Sequence, residues 1–243
     1  MNKCINLLSI DEPNSIYVEM YRSIRTNIEY SSVDKKMKIL NVTSTIASEG
    51  KTTTTCNLAV LSANKNKKVL IIDLDLRKPS VHKFFNIKNK NGLTDLLIDF
   101  SNNGNNVNLN NYLQKIEHEN IINELYVITA GTETINPFEI LNSERIKILI
   151  EFLRDKFDEI ILDSPPSGIL ADGIITSKLA DGTIYVIESK KTKIDLIQKT
   201  ISQLKKMNIN ILGVILTKVP VKLKTYSYYY GNYYRDDSLN ASN

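Results

Sequence analysis

Short apolar runs recur along the chain, and longer segments with helical spacing of apolar residues separate them. Six of these runs are rich in β-forming residues, and several are nearly continuous, as expected of strands buried on both faces of a parallel sheet. They cover residues 39–43, 69–73, 125–128, 160–163, 183–187 and 211–216. Since their separations leave room for crossover helices, the pattern predicts an α/β domain with a doubly wound, mostly parallel sheet.

Other segments carry weaker structural signals. Residues 15–30 contain good helix formers, and Asn14 or Ser15 is available as the N-cap, so we expect a helix before the first strand. Residues 101–111 contain seven asparagines and one glycine. Because asparagine favours turns over regular structure, this segment is predicted to be a surface excursion.

The apolar periodicity ends after Pro220. The remaining chain is polar and contains six of the 12 tyrosines within the last 18 residues. We therefore expect one folded domain over residues 1–220 and a flexible, tyrosine-rich tail over residues 221–243.

The composition limits the class of protein. With 42% hydrophobic and 24% charged residues, the chain resembles a globular protein. No apolar run reaches the ~18–20 residues that cross a bilayer, so work at a membrane would require recruitment by something else. The net charge of +4 is small and dispersed, which argues against nucleic acid as a partner. Cys4 and Cys56 are too few for a disulfide framework and fit a reducing cytoplasm.

A candidate phosphate loop follows the first strand. Residues 45–52 read Thr-Ile-Ala-Ser-Glu-Gly-Lys-Thr, and a helix-compatible segment follows over residues 53–63. In such loops backbone N–H groups surround a phosphate, the lysine reaches further phosphate oxygens and the next hydroxyl binds Mg²⁺. Gly50, Lys51 and Thr52 supply these elements, although a threonine replaces the first glycine of the general motif. The alternative interpretation is an ordinary surface turn with a lysine.

Carboxylates follow two of the predicted strands. Asp73 and Asp75 stand at the end of the second strand and are expected to share a face, and Asp163 ends another strand. Open α/β sheets bind ligands at this carboxyl edge. Each aspartate alone could be a solvated strand end. Three converging carboxylates would repel one another, however, unless a divalent cation and an acceptor hydroxyl compensated them.

The phosphate loop and two further stretches together resemble the motifs of a known family. Residues 45–52, 73–77 and 163–166 are similar to the Walker A, Walker A′ and Walker B motifs of bacterial tyrosine kinases, the BY-kinases of capsule and exopolysaccharide synthesis. These are P-loop proteins of the deviant class that includes the partition and division-site ATPases. The likeness extends from about residue 15 to the end of the chain, and it implies the P-loop NTPase fold.

The resemblance and the chemistry of phosphoryl transfer imply a role for each site residue. ATP and Mg²⁺ are the expected cofactors. Lys51 would reach the β- and γ-phosphates, Thr52, Asp75 and Asp163 would hold the metal directly or through water, and Asp73 would be the base that receives the tyrosine proton. The residues expected at the phosphates are Ser48, Glu49, Gly50, Lys51, Thr52 and Thr53.

The sequence departs from the family pattern in three places, of which Ser164, where the Walker B motif usually has threonine, is the mildest. Ser48 stands where family loops commonly have glycine, and it can follow the family's loop only if its backbone avoids the conformations reserved for glycine. Thr217 and Lys218 follow the last strand, where the family commonly has asparagine near the adenine.

An early helix resembles the oligomerisation element of the family. Glu19, Arg22 and Arg25 match its ExxRxxR motif, and we expect them to form a charged patch near one helical face that meets a neighbouring subunit. A solvated helix face with a salt bridge between residues three apart is the alternative that spacing alone favours.

The tyrosines of the tail resemble the autophosphorylation cluster of the family. There the tail of one subunit is phosphorylated by the next subunit in a ring. A sticky aromatic tail, or one that folds on a partner, is the alternative interpretation. The tyrosines expected to be phosphorylated are Tyr226, Tyr228, Tyr229, Tyr230, Tyr233 and Tyr234.

The resemblance implies an autophosphorylating protein-tyrosine kinase that regulates capsular or exopolysaccharide synthesis and export. Its partners would be further copies of the chain, a separate transmembrane modulator, a cognate tyrosine phosphatase and tyrosine-containing protein substrates. The protein would be cytoplasmic and recruited by the modulator to the inner face of the membrane. The alternatives are a partition-type ATPase, which usually carries an extra lysine that residues 45–49 lack, and a nucleotide-bound scaffold with weak kinase activity.

Overall fold

One seven-stranded sheet organises the protein in a computed structural model that describes residues 7–31 and 37–220. The strands lie in the order β3-β4-β2-β5-β1-β6-β7. Their bounds are β1 Ile39–Ser44, β2 Val69–Asp73, β3 Gln114–Ile116, β4 Leu125–Ile128, β5 Glu159–Asp163, β6 Gly182–Glu188 and β7 Ile211–Thr217.

Helices cover both faces of the sheet, as a doubly wound topology requires. Their bounds are α1 Leu8–Asp11, α2 Ile16–Tyr30, α3 Lys51–Ala63, α4 Val81–Phe84, α5 Leu93–Asn103, α6 Pro137–Leu141, α7 Glu144–Arg154, α8 Ala171–Ser177 and α9 Ile194–Lys206. The expected helix before the first strand is therefore present as α2.

All six predicted strands are present and pair in parallel. The pattern missed β3, which pairs antiparallel with β4 at the edge of the sheet. This strand has three residues, and only Ile116 among them is buried. Such a short, polar segment has no apolar periodicity to detect.

The central strands are continuous in apolar residues because each face of the sheet has its own core. Ile72 and Leu162 belong to the core beneath α5 and α7. Their neighbours Ile71 and Ile161 belong to the core on the opposite face, beneath α3. Successive side chains of a strand point to opposite faces, so burial on both sides requires an apolar residue at every position.

The asparagine-rich segment is partly regular. The prediction of a surface excursion was wrong for residues 101–103, which continue α5, and two 3-10 turns follow at Gly104–Asn106 and Leu109–Asn111. Asn103 extends the helix because its side chain donates to Asp99 Oδ1, four residues earlier, at 2.7 Å. The asparagines themselves are exposed, as predicted.

The parallel register brings the candidate chemistry to one edge. Asp73 at the end of β2 lies directly beside Asp163 at the end of β5. On the other side of β5, Val42 of β1 is the neighbour of Asp163, and β1 ends two residues later at the start of the phosphate loop. The three sequence motifs therefore meet at the carboxyl edge of adjacent strands.

At the opposite edge of the sheet, Asp181 holds the start of β1. Its Oδ2 accepts hydrogen bonds from the backbone N–H groups of Lys38 and Ile39, both at 2.9 Å. The Arg154 guanidinium donates to both carboxylate oxygens, at 2.8 and 2.9 Å. Partial burial alone would raise the pKa of Asp181, but the hydrogen bonds from Arg154 and from these N–H groups outweigh it and lower that pKa.

We expect Asp181→Ala to lower the free energy of unfolding by about 2 kcal/mol at pH 7, because it leaves two N–H groups and a guanidinium without their acceptor. A carboxyl with a lowered folded pKa contributes stability above its unfolded pKa, and that contribution is lost as the pH falls through the folded pKa. Urea unfolding of both proteins at pH 7 and under acidic conditions measures the two effects.

Glu151→Ala is the matched control for this prediction. Glu151 also contacts the Arg154 guanidinium, but its side chain is 63% exposed. Its removal should change the free energy of unfolding by no more than about 0.5 kcal/mol. Equal losses for the two variants would contradict the role given to Asp181.

Candidate active site

A cavity of about 690 Å³ opens at the carboxyl edge of the sheet, beside the phosphate loop. Residues of four chain segments line it: the phosphate loop with the start of α3, the loop and helix after β2, the loop after β5 and the end of β7. They are Ala47, Ser48, Gly50, Lys51, Thr52, Thr53, Asp75, Arg77, Lys78, Ser80, Phe84, Pro166, Ile169, Leu170 and Lys218.

The phosphate loop delivers the N-terminus of α3 to this cavity. Gly50 is the N-cap and has a left-handed φ of 95°. This conformation favours glycine, and a Cβ at this position would also make a tight contact of 3.2 Å with Thr217 Cγ2. The first N–H groups of α3 have no acceptor within the helix and are available to an anion.

Ser48 also adopts a left-handed backbone. The condition that its backbone avoid that region is not met, because its φ is 67°. The cost for a residue with a side chain is roughly 1–2 kcal/mol. Lys218 compensates part of it, because its ammonium donates to the Ser48 carbonyl at 2.9 Å.

Glu49 supports the loop rather than lining the cavity. Its carboxylate is fully buried and accepts hydrogen bonds from the N–H of Ile46, at 2.7 Å, and of Glu188, at 3.2 Å. Thr192 donates its hydroxyl to the same carboxylate, and Thr217 donates to the Glu49 carbonyl at 2.6 Å. The structure thus brings the other five expected phosphate ligands to the cavity, but it turns the Glu49 side chain away.

Thr52 and Asp163 form the oxygen cluster beneath the loop. Thr52 donates its hydroxyl to Asp163 Oδ2 at 2.7 Å and lies 2.9 Å from the hydroxyl of Ser80. Thr55, one turn further along α3, donates to Asp163 Oδ1 at 3.1 Å. Lys51, which begins the helix, is buried and lines the adjacent cavity.

Asp73 and Asp75 have different surroundings. Because β2 ends at Asp73, Asp75 lies in the following loop, and the expectation that the pair shares a strand face was wrong. Only Asp75 lines the cavity. Asp73 is fully buried behind it and accepts hydrogen bonds from the N–H groups of Ser80 and Val81, at 3.0 and 3.1 Å, at the start of α4.

The three carboxyl groups are destabilised as anions. Burial, followed by the charge of Asp163, raises the pKa of Asp73 well above its usual value. Burial raises the pKa of Asp163 to about 6, although the Lys51 ammonium and the Thr52 hydroxyl oppose this shift. Burial also raises the pKa of Asp75, and the charge of Lys51 again opposes the shift. A cation at this position would stabilise all three anions.

The donor set suits Mg²⁺ better than a metal held by protein alone. Within the described part of the chain, no group of three or more His, Cys, Asp and Glu side chains is arranged to hold a metal ion. Mg²⁺ is usually bound by one or two carboxylates, with substrate phosphates and waters as the other ligands. The Thr52 hydroxyl with Asp163, and Asp75 on the cavity wall, meet that requirement.

The wall opposite the phosphate loop contains residues that motif spacing missed. Arg77 forms a 2.6 Å ion pair with the buried Asp172. The missed residues all follow the carboxyl end of a strand. Since open α/β sheets bind ligands at that edge, this position is the sequence signal that could have identified them. They are Ser80, Phe84, Ile169 and Leu170.

The candidate oligomerisation residues do not share one exposed face. Glu19 and Arg22 form a partly exposed ion pair, in agreement with the solvated-face alternative. Arg25 is only 8% exposed, and its guanidinium donates to the Leu61 carbonyl of α3 at 3.3 Å. Arg25 follows Glu19 by six residues, which is a rotation of about 600° and places the two side chains on different faces of the helix. Arg25 faces the domain. The tail tyrosines 226–234 lie outside the described residues.

Comparisons with known proteins place this site in a family. Residues 40–230 match the family described as CobQ/CobB/MinD/ParA nucleotide binding domain. The chain is 40% identical over 225 residues to tyrosine-protein kinase YwqD of Bacillus subtilis, covering 92% of this chain and 91% of that protein. It is 35% identical to tyrosine-protein kinase CpsD of Streptococcus pneumoniae, covering 88% and 91% of the two chains.

Solved structures agree with these relatives. The chimerical protein CapA2B2 superposes with a TM-score of 0.80 at 30% identity, covering 88% of this chain and 90% of that one. The kinase domain of the Escherichia coli tyrosine kinase ETK gives 0.78 at 26% identity, covering 91% and 84%. The septum site-determining protein MinD of Pyrococcus horikoshii, at 24% identity and a TM-score of 0.58 over 74% of this chain and 69% of that one, shares the fold.

No helix within the described ranges is both long and apolar enough to span a membrane. The site and the relatives favour the kinase interpretation over the partition-type alternative. The chain therefore belongs to the bacterial tyrosine-protein kinases, protein-tyrosine kinases built on the CobQ/CobB/MinD/ParA nucleotide-binding domain.

Proposed function

We propose that the chain uses Mg-ATP to phosphorylate the tyrosines of a neighbouring copy's tail, Tyr226 to Tyr234, and thereby regulates capsular or exopolysaccharide synthesis. The observation that carries the proposal is the convergence of Lys51, Thr52 and Asp163 on the N-terminus of α3. Phosphoryl transfer depends mainly on positioning and charge neutralisation, and this arrangement provides both.

The start of α3 would bind the triphosphate. Gly50, Lys51 and Thr52 line the cavity at the start of the helix, where backbone N–H groups have no acceptor within the helix, and the Lys51 ammonium adds a positive charge beside them. Thr53 lines the same wall and is assigned to the α-phosphate. Because Glu49 and Thr217 hold the loop from behind, these donors need little rearrangement when the anion binds.

The metal would lie between the helix and the strand ends. The Thr52 hydroxyl and the carboxylates of Asp163 and Asp75 are its proposed ligands, directly or through water. When bound, Mg²⁺ supplies charge neutralisation at the phosphate oxygens. The same charge would lower the raised pKa of Asp163 and keep this carboxylate ionised at neutral pH.

We assign the acceptance of the tyrosine proton to Asp73. Tyrosine has a pKa near 10, so a carboxylate with a raised pKa is a better match than an ordinary one. Asp75 is the second candidate, because it lines the cavity whereas Asp73 lies behind it.

The family resemblance supplies the remaining partners. We propose that copies of the chain assemble into a ring in which the Glu19 and Arg22 pair contacts a neighbour and Arg25 braces α2 against α3. A transmembrane modulator would recruit the cytoplasmic kinase to the inner face of the membrane, and a cognate phosphatase would reverse the reaction.

A mixing experiment tests phosphorylation between copies. We expect Lys51→Met to lower tail phosphorylation by about 100-fold or more, since the charge at the phosphates is lost. A second chain ending at Thr225 keeps the active site but lacks the tyrosines. Each protein alone should show little phosphotyrosine with Mg-ATP and the modulator's cytoplasmic segment, and the mixture should show it on the Lys51→Met chain.

Lys147→Met is the control for the mixing experiment, because Lys147 pairs with Glu144 on the distant surface of α7. It should leave phosphorylation unchanged. ATP hydrolysis by the wild type without any phosphotyrosine would instead establish the partition-type alternative.

Substitution of each aspartate by asparagine separates the two candidates for the base. Asp73→Asn keeps an oxygen that accepts the α4 N–H groups, so we expect the protein to fold and to bind Mg-ATP with nearly unchanged affinity, while kcat falls by about 100-fold or more. Asp75→Asn should mainly weaken Mg²⁺ binding. If Asp75→Asn lowers kcat at saturating Mg²⁺ and Asp73→Asn does not, the base is Asp75.

The raised pKa of Asp163 predicts how stability changes with pH. A buried carboxyl with a folded pKa of about 6 holds its proton more tightly in the native state, so stability is lost as the pH rises towards and through 6. Without Mg²⁺, we expect Asp163→Asn to be more stable than the wild type at pH 7 by about 1 kcal/mol. Thermal unfolding with and without Mg-ATP measures the difference.

Asp158→Asn provides the comparison for that measurement, because Asp158 is an exposed carboxylate that accepts one backbone hydrogen bond, from Lys68 N at 2.8 Å. It should not stabilise the protein. A less stable Asp163→Asn protein at pH 7 would show that the hydrogen bonds to Asp163 outweigh the cost of its buried charge.

A further inference from the structure

The tip of the phosphate loop is an exposed turn that contains a left-handed residue. Ala47 and Ser48 are both exposed, and Ser48 has a φ of 67°. A residue with a side chain rarely adopts this conformation, because its Cβ lies too close to a neighbouring carbonyl oxygen. An exposed turn has little packing to hold such a residue, so a specific contact is needed to maintain the conformation.

The ammonium of Lys218 supplies a contact of this kind. It donates to the Ser48 carbonyl at 2.9 Å and to the Glu188 carboxylate at 3.0 Å. Because Glu188 ends β6 and Lys218 directly follows β7, the donor is anchored on the sheet beside the loop. Hydrogen bonds from Lys191 and Lys218 lower the pKa of Glu188, so this carboxylate stays ionised at neutral pH and holds the ammonium in place.

A second donor at the end of β7 holds the next peptide group of the loop. The Thr217 hydroxyl donates to the Glu49 carbonyl at 2.6 Å. In a planar trans peptide, the C=O and the N–H that follows it point in opposite directions. The two donors therefore fix the directions of the N–H groups of Glu49 and Gly50, which belong to the same two peptide planes.

The left-handed conformation is strained at only one of the two residues of the loop that adopt it. Gly50 has a φ of 95° at no steric cost, whereas the same region is unfavourable for Ser48. If the ammonium were removed, rotation about Ser48 would relieve this strain and would turn the N–H of Glu49 away from its present direction. The direction of that N–H group therefore depends on Lys218.

We propose that Lys218 is a positioning residue for the nucleotide. Its ammonium keeps Ser48 in the left-handed region, so that the N–H groups of the loop are directed at the phosphate before the nucleotide binds. This inference deepens the proposed function and rests on it, because it requires Mg-nucleotide to bind at the start of α3. Lys218 acts through the backbone of the loop and is not itself a phosphate ligand, although it lines the same cavity.

The backbone strain at Ser48 sets the size of the effect. Without the ammonium the free loop relaxes, and the nucleotide must return Ser48 to the strained region when it binds. The cost of that return weakens the affinity, because the loop is no longer organised in advance. For one residue in the left-handed region, the expected loss is about tenfold in Kd.

Nucleotide affinity in three sequence backgrounds tests the proposal. We expect Lys218→Met to raise the Kd of Mg-ADP about tenfold in calorimetric titrations of the full chain. In a Ser48→Gly background, the same substitution should change the Kd by less than about twofold, since glycine enters the left-handed region freely. In a Ser48→Ala background the loss of about tenfold should remain, because alanine keeps the Cβ.

Lys191→Met is the matched control for the loss of a positive charge. Lys191 pairs with the same Glu188 carboxylate at 2.9 Å, but it is not among the residues that line the cavity. Its substitution should change the Kd by less than about twofold. A loss equal to that of Lys218→Met would reveal a general effect of charge and would overturn the proposal.

The other outcomes of the titrations are equally decisive. Equal losses for Lys218→Met in all three backgrounds would make Lys218 a direct nucleotide ligand, and this would overturn the positioning role. Recovery of affinity in the Ser48→Ala background would assign the effect to the serine hydroxyl rather than to the backbone, and an unchanged Kd for Lys218→Met would refute any role in binding.

Kinetics separate the positioning of the nucleotide from a general loss of structure. In tail phosphorylation, Lys218→Met should raise the KM for ATP about tenfold and lower kcat by less than about threefold, because the lost interaction serves ground-state binding. Ser48→Gly should restore the KM. A lower kcat with an unchanged KM would contradict the proposal.

Unfolding of the free protein gives a readout that needs no nucleotide. Lys218→Met should lower the urea midpoint, and the shift should be less than about half as large in the Ser48→Gly background. Failure of the wild type to bind Mg-ADP would reject the proposed function, and the urea comparison would still decide whether Lys218 holds Ser48. Equal shifts in the two backgrounds would overturn the inference itself.

Discussion

The buried pair of carboxyl groups at the ends of β2 and β5 is the constraint on which the rest of the site depends. Asp73 and Asp163 are neighbours in a parallel ladder, and both are fully buried. Two anions at this separation in a poorly solvated place would repel one another strongly. Burial is the largest cause of the raised pKa of each group; the charge of Asp163 adds to the shift of Asp73, and the charge of Asp75 adds to that of Asp163. The surrounding structure is arranged to reduce this cost.

The compensation comes from elements on both sides of the carboxyl edge. Hydroxyl groups on the first turns of α3 donate to Asp163, and the N–H groups that begin α4 donate to Asp73. The Lys51 ammonium opposes the rise in the pKa of Asp163. These contacts only partly replace water. Under the proposed function, the unfavourable electrostatics of the free protein would therefore be a source of affinity for Mg²⁺ and nucleotide, and they would cost stability when neither is bound.

The strands and the three motifs could be predicted from the sequence, because each depends on residues that are close together in the chain. Burial on both faces makes a central strand a continuous apolar run, and the phosphate loop and its following hydroxyl are contiguous in the chain. The role of Glu49 could not be predicted, because its carboxylate accepts hydrogen bonds from Glu188 and Thr192, about 140 residues away in the chain. Sequence reasoning also placed Asp73 and Asp75 on one strand face, although its own predicted run ends at residue 73, where β2 ends in the structure. Arg25 matched the oligomerisation motif, but its side chain packs inside the domain, where it contacts α3.

The end of β7 contacts the phosphate loop. Thr217 donates to the Glu49 carbonyl, and Lys218 donates to the Ser48 carbonyl, so the last strand directly holds the phosphate loop. The loop contains a strained residue at Ser48 and a glycine at position 50 whose space Thr217 limits. A change in the position of β7 would therefore move the carbonyls that fix the loop and the N–H groups that follow them.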